Sequence, residues 1–150
     1  MSLRSILSSA RIAVLDEARN TDALLDTLAG LLCDEDRAGI DAVAASLRAR
    51  ERMGSTAIGH GVALPHGRNE AFPDARAAFV RLTRPLPFGA MDDEDVDLVL
   101  ALSVPASFTH QHLQLLAEIA ERFADADFRA RLRAAPDAAA MHVLLAGDAA

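Results

Sequence analysis

The chain has 150 residues, 51% of them apolar, and a formal net charge of −7 at pH 7. That length suits one ordinary domain with a single substantial core, and that composition argues against disorder. All 15 cationic residues are arginine, which excludes a P-loop lysine, a Schiff base and a lysine general base, while the acidic balance disfavours nucleic acid as a partner.

The N-terminus, Met1-Ser2-Leu3-Arg4-Ser5-Ile6-Leu7, meets polar residues too early for the apolar core of a signal peptide. Nowhere do apolar residues run for the ~20 of a membrane span. A soluble, cytoplasmic protein is expected. No linker, low-complexity tract or internal repeat divides the sequence, so residues 1–150 read as one free domain.

Ile12-Ala13-Val14-Leu15 is a short strand by composition. Asn20-Thr21-Asp22 offers side-chain oxygens to cap a helix start, and Leu24, Leu25, Leu28, Leu31 and Leu32 then fall on one helical face. Cys33, the single cysteine, follows that stripe and reads as a buried thiol in a reducing compartment. A second helix runs from about Gly39 to Arg50, burying Ile40, Val43 and Leu47. Val62-Ala63-Leu64 is a short apolar run that stops at Pro65.

Ala77–Leu82 alternates as a strand with one buried face, and Val96–Val104 is nearly continuous apolar, as a central strand covered on both faces should be. The acidic stretch Asp92–Asp95 between them reads as a turn. Leu113, Leu116, Ala120 and Phe123 mark a helix from about Thr109 to Ala124, with a shorter one over Phe128–Ala134. Pro136 suits the first turn of a last helix carrying Met141, Val143 and Leu144. Helices at both ends of a strand-rich middle predict a layered α/β domain, a mixed β-sheet flanked by α-helices.

Chemistry concentrates in Gly54–Arg68, which holds four of the eight glycines together with His60 and His66. Pro65 fixes one dihedral beside His66 and Gly67 leaves space next to it, so an imidazole at a strand end is open to a visitor. Taken by itself, Pro65-His66-Gly67 fits an exposed turn with an idle histidine better than it fits a site. Neutral imidazole is nevertheless a good nucleophile toward phosphorus. A phosphoryl group needs donors for its added charge, which an arginine fork supplies well. Arg50 and Arg68 flank the segment and are both candidates.

His110-x-His112 has the look of a metal pair that His60 and His66 could complete. Two residues on a helix are separated by roughly 200°, so these side chains diverge and only one can join a site with His66. His112 borders the buried stripe and is the candidate, although a satisfied histidine at the core edge fits it as well. His110 is expected in solvent, and His142 is structural or on the surface.

The stretch Arg50-Glu51-Arg52-Met53-Gly54-Ser55-Thr56-Ala57-Ile58-Gly59-His60-Gly61-Val62-Ala63-Leu64-Pro65-His66-Gly67-Arg68 resembles the signature of phosphotransferase-system enzyme IIA domains of the fructose/mannitol/nitrogen-regulatory family. Phe88-Gly89-Ala90-Met91-Asp92 with Val96-Asp97-Leu98-Val99 is similar to that family's turn and central strand. Val104-Pro105 with His112-Leu113-Gln114-Leu115-Leu116 is similar to its second histidine element. The likeness runs in order from about Thr21 to Leu144. It implies a sheet of about five strands, a phosphorylated His66, a supporting His112, and Arg50 stabilising the phosphoryl group. It further implies a histidine phosphocarrier of the HPr kind as donor, charged by a phosphoenolpyruvate-using enzyme I, and no metal or organic cofactor.

The Met53-Gly54-Ser55-Thr56 and Pro65-His66-Gly67-Arg68 forms are most similar to the nitrogen-related branch. Its members regulate targets such as potassium-transport and sensor-kinase proteins. A sugar-specific enzyme IIA that passes phosphate to a IIB unit is the alternative. Asp93-Glu94-Asp95 and Asn20-Thr21 depart from the family pattern, away from the expected site.

Overall fold

The computed structural model describes residues 2–34, 36–107 and 109–147. After a single helical turn, α1 (Leu3–Ile6), comes an edge strand, β1 (Ile12–Leu15). Helices α2 (Thr21–Leu32) and α3 (Arg37–Arg52) lead into three short strands, β2 (Ala57–Gly59), β3 (Val62–Ala63) and β4 (His66–Arg68). Two long strands, β5 (Arg76–Leu86) and β6 (Val96–Val104), precede helices α4 (Thr109–Phe123), α5 (Ala126–Ala134) and α6 (Ala138–Ala146).

The helix starts follow the side-chain chemistry. Asn20 Oδ1 accepts the Ala23 N–H at 2.8 Å and opens α2. Asp137 Oδ1 accepts the Ala140 N–H at 2.9 Å, so the last helix is capped by Asp137, and Pro136 lies before the cap instead of in the first turn. The ends of the last three helices use arginine. Arg129 Nη1 donates to Phe123 O at 2.8 Å, Arg81 Nη1 to Leu132 O at 2.8 Å and Ala135 O at 2.7 Å, and Arg122 to Leu144 O and Leu145 O. Each cation meets carbonyls that the helix cannot satisfy itself, at its negative pole.

The six strands form one mixed sheet in the order β1-β5-β6-β3-β2, with β4 also on β6. β5 pairs antiparallel with β6, whereas β1 runs parallel to β5 and β3 parallel to β6. β3 and β4 are two pieces of one track beside β6, pairing Val62–Ala63 with Leu98–Val99 and His66–Arg68 with Leu102–Val104. Pro65 causes the break, since it has no N–H for the ladder. Its carbonyl still accepts the Leu102 N–H at 2.9 Å, which keeps the two pieces in line.

Alternation along β5 and β6 sends side chains to two cores. Ala77, Phe79, Leu98, Leu100 and Leu102 join α1, α4, α5 and α6 on one face. Ala78, Val80, Val99 and Ala101 join α2 and α3 on the other. The result is helix–sheet–helix layering, as the composition of β6 implied. Phe79 stacks on Phe123 at 6.2 Å between ring centroids, tying the central sheet to α4. The site lies where α3 and α4, from opposite layers, reach the β3–β4 break.

Candidate functional site

The last turn of α3 carries Arg50 and Glu51, and the chain then turns through Gly54 and Ser55 into the β2–β3 hairpin. Three ties hold that turn. Arg50 Nη1 donates to Gly54 O at 2.8 Å. Glu51 accepts the Thr56 N–H at 2.8 Å and the Thr56 hydroxyl at 2.6 Å. Ser55 Oγ donates to Phe88 O at 2.5 Å. The hairpin tip has His60 in the left-handed region at φ 58°, its N–H on Asp92 Oδ2 at 3.0 Å and its carbonyl accepting from Arg133 at 2.7 Å.

At the strand break the Leu64 N–H donates to Thr56 O at 3.0 Å. His66, the first residue of β4, is half-buried, and its Nδ1 lies 2.8 Å from Leu64 O. A carbonyl only accepts, so Nδ1 carries the hydrogen and Nε2 keeps a free lone pair. Burial lowers the His66 pKa most; the Leu64 carbonyl and Glu51 raise it, and the charges of Arg50 and Arg68 lower it.

His112, in the first turns of α4, is 4% exposed, and its ring centroid is 5.2 Å from that of His66 with the planes at 53°. Its Nδ1 is buried without a hydrogen-bond partner. Burial first, then the neighbouring His66 and Arg68, pushes its pKa down to about 4, so at neutral pH the ring is uncharged. His110 is exposed on the same helix, as the divergence of alternate helical positions requires.

The expected residues are therefore distributed as follows. His66 and His112 meet, from a strand and a helix on opposite sides of the break. Arg50 stands at the end of α3 with its guanidinium on the Gly54 carbonyl and its charge felt at His66. Arg68 is exposed and acts on both imidazoles through charge. His60 contributes backbone contacts at the hairpin tip, and His142, on α6, has its Nε2 3.3 Å from the carbonyl oxygen of Leu7, just past α1. Among the described residues no group of three or more His, Cys, Asp or Glu side chains is placed to hold a metal ion. Glu51 was not singled out by sequence reasoning. Its five-residue separation from Thr56 is no recognised motif, and only the turn between them brings the two together.

A family model described as phosphoenolpyruvate-dependent sugar phosphotransferase system, EIIA 2, matches residues 5–147. The chain belongs to this family.

Among EIIA 2 relatives, the nitrogen regulatory protein of Pseudomonas aeruginosa is 35% identical over 144 residues, spanning 95% of this chain and 94% of that protein. The nitrogen regulatory protein of Escherichia coli K12 is 49% identical over 87 residues, 57% of this chain and 53% of that protein. The crystal structure of nitrogen regulatory protein IIA-Ntr from Neisseria meningitidis superposes with a TM-score of 0.88 at 33% identity, over 95% of this chain and 98% of that one. IIA mannitol from Escherichia coli shares the fold, with a TM-score of 0.76 at 19% identity over 92% of this chain and 97% of that one. An EIIA 2 chain is a component of phosphoryl transfer, and the mixed sheet flanked by helices is the IIA-Ntr fold. No helix among the described residues is long and apolar enough to cross a membrane.

Proposed function

We propose that this chain is a cytoplasmic phosphohistidine carrier of the nitrogen-related phosphotransferase branch, which accepts a phosphoryl group on His66 Nε2 from a histidine phosphocarrier protein of the HPr kind. The observation that carries the reading is the Nδ1 contact of His66 with Leu64 O at 2.8 Å, beside the uncharged ring of His112. The His66 Nε2 lone pair attacks phosphorus and forms the new N–P bond. The donor's N–P bond breaks and its electron pair returns to the donor imidazole. Nδ1 keeps its hydrogen and its carbonyl partner throughout, so the ring does not have to reorient as charge moves.

His112 and Arg50 support the transfer. Protonating His112 Nδ1 would bury an N–H without an acceptor, so the neutral ring carries its hydrogen on Nε2 and offers it to a phosphoryl oxygen. The Arg50 guanidinium keeps four further N–H donors beyond the one given to Gly54 O and supplies positive charge near His66. Binding of a regulated target according to phosphorylation state belongs to this reading. Potassium-transport and sensor-kinase proteins are the candidate targets. Full-length similarity to nitrogen regulatory proteins supports that branch over a sugar-specific enzyme IIA.

The test is intact-mass analysis after incubation with phosphoenolpyruvate, enzyme I and the phosphocarrier of each branch. One acid-labile, base-stable phosphate should appear, fastest with the nitrogen-branch carrier, and be absent in His66→Ala. Full phosphorylation of His66→Ala would overturn the site, and faster transfer from the sugar-branch carrier would overturn the branch.

A further inference from the structure

The Glu51 carboxylate commits both oxygens to one residue, taking the N–H and the hydroxyl of Thr56, and joins no ion pair among the described residues. Thr56 is 6% exposed and Glu51 half-buried, so this is a charge-assisted pair partly shielded from water, which strengthens it. The Thr56 carbonyl accepts the Leu64 N–H at 3.0 Å, and the Leu64 carbonyl accepts His66 Nδ1–H at 2.8 Å. Four residues spread over sixteen positions of sequence thus form an unbroken hydrogen-bonded series ending on the imidazole.

We propose that Glu51 and Thr56 are positioning residues which, through the Leu64 carbonyl, lock His66 in the tautomer that presents the Nε2 lone pair. The series works by geometry. The N–H and C=O used at Thr56 belong to different peptide units, as do those at Leu64, so no conjugated path carries polarisation along it. What it does is fix the place of the Leu64 oxygen. Pro65 removes the next N–H from the ladder, so between the β3 and β4 pairings the Thr56 tie to the Leu64 N–H and the Pro65 carbonyl on its Leu102 partner hold the backbone at the break. The position of Glu51 directly after Arg50 has a second consequence. One turn of α3 then anchors both the group expected to neutralise phosphate and the series that orients the nucleophile, so the two move together.

The role rests on the phosphoryl-carrier reading for its kinetic readout, but its structural readout is independent. Rapid-quench transfer from phosphorylated HPr-type carrier and ¹⁵N NMR of the His66 ring would be measured on Glu51→Ala, Glu51→Gln, Thr56→Val and Thr56→Ser. Misplacing a reacting atom costs on the order of 10- to 100-fold in rate, so Glu51→Ala should fall by about that much and lose the predominance of the Nδ1–H tautomer. Thr56→Val keeps the N–H tie and should fall less, with a smaller tautomer shift. Glu51→Gln retains the shape and Thr56→Ser retains both donors, so both should hold the tautomer, and Thr56→Ser should recover most of the rate. If Glu51→Ala does not fold, Thr56→Val against Thr56→Ser decides. An unchanged His66 tautomer in Glu51→Ala or, should that variant not fold, in Thr56→Val would overturn the proposal, as would a Thr56→Ser variant as impaired as Thr56→Val. A wild-type chain that accepts no phosphate would sink the carrier reading while leaving the tautomer measurement to judge the positioning role.

Discussion

Gly67 and Ser46 touch so closely that no side chain fits at position 67: a Cβ there would lie 2.4 Å from Ser46 Oγ and 2.9 Å from both the backbone carbonyl carbon and Cβ of Ser46. Gly67 follows His66 on β4, and Ser46 lies one helical turn before Arg50 on α3. Their contact sets how near the end of α3 comes to the imidazole. Gly67→Ala should therefore destabilise the fold by roughly 1–3 kcal/mol, the range for overpacking a close contact, and slow phosphotransfer by displacing Arg50 from His66. Ser46→Ala should relieve only part of this, since backbone and Cβ remain in the way. Urea denaturation of the single and double variants measures it, and a Gly67→Ala variant within 0.5 kcal/mol of wild type would show that the layers separate freely.

The buried ring of His112 predicts a pH dependence of stability. Its folded pKa is lowered to about 4 by burial and by the neighbouring charges, whereas in the unfolded chain it returns to an ordinary value of about 6.5. Between those two values the unfolded state binds the proton and the folded state does not, so stability is full above about pH 6.5 and drains away as pH falls toward 4. His112→Asn should flatten the slope in that window. Thermal melts of both proteins at half-unit steps from pH 7.5 to 4 provide the check, and parallel curves would mean that His112 is not the group responsible.

Much of this architecture is legible in the sequence because apolar periodicity reports burial. The nine residues of β6 have no polar alternation and are covered on both faces, and Asn20 caps α2 as its side chain suggests. The short strands are a different matter. β2 and β4 have three residues each, and β4 contains His66, Gly67 and Arg68, none of which favours a strand. They exist because a neighbouring strand offers each a ladder, β3 for β2 and β6 for β4, a tertiary cause with no local signature. The same holds for the site. A histidine between Pro65 and Gly67 announces an accessible ring, but the meeting with His112 depends on α4 crossing from the far layer, and the Glu51–Thr56 tie depends on a turn.

Arginine caps also escaped the sequence, where a cation looks merely solvated. Arg129 is 8% exposed, with Nη1 on Phe123 O at 2.8 Å, while Arg131, two residues on, pairs with Asp127 in the open. Arg129→Met should cost about 1–3 kcal/mol, because the α4 terminus loses its charged donor in a buried setting. Arg131→Met should fall within about 0.5 kcal/mol of wild type, as exposed pairs do. Chemical denaturation separates the two, and equal costs would show that the buried guanidinium contributes no more than a surface ion pair.

The division of labour within the site yields the last prediction. If His66 bears the phosphoryl group and His112 and Arg50 stabilise it, removing a supporting residue should change rate more than the existence of the product. His112→Ala should still be phosphorylated but exchange phosphate more slowly in at least one direction, by on the order of 100- to 1,000-fold if a donor aimed at the developing charge is lost. Arg50→Ala should lose a charge-assisted donor and also the tie to Gly54 O that shapes the turn. Arg50→Lys should recover only part, because one ammonium cannot serve Gly54 O and phosphate oxygens together as a planar fork does. His110 is exposed on the same helix as His112, and His142 is half-buried on α6 with its Nε2 3.3 Å from Leu7 O, so alanine at either should leave transfer unchanged. Rapid-quench kinetics in both directions on these variants distinguish the roles. Wild-type rates in both Arg50→Ala and His112→Ala, or a large loss in His110→Ala, would leave the ring-to-ring contact at 5.2 Å without a catalytic purpose.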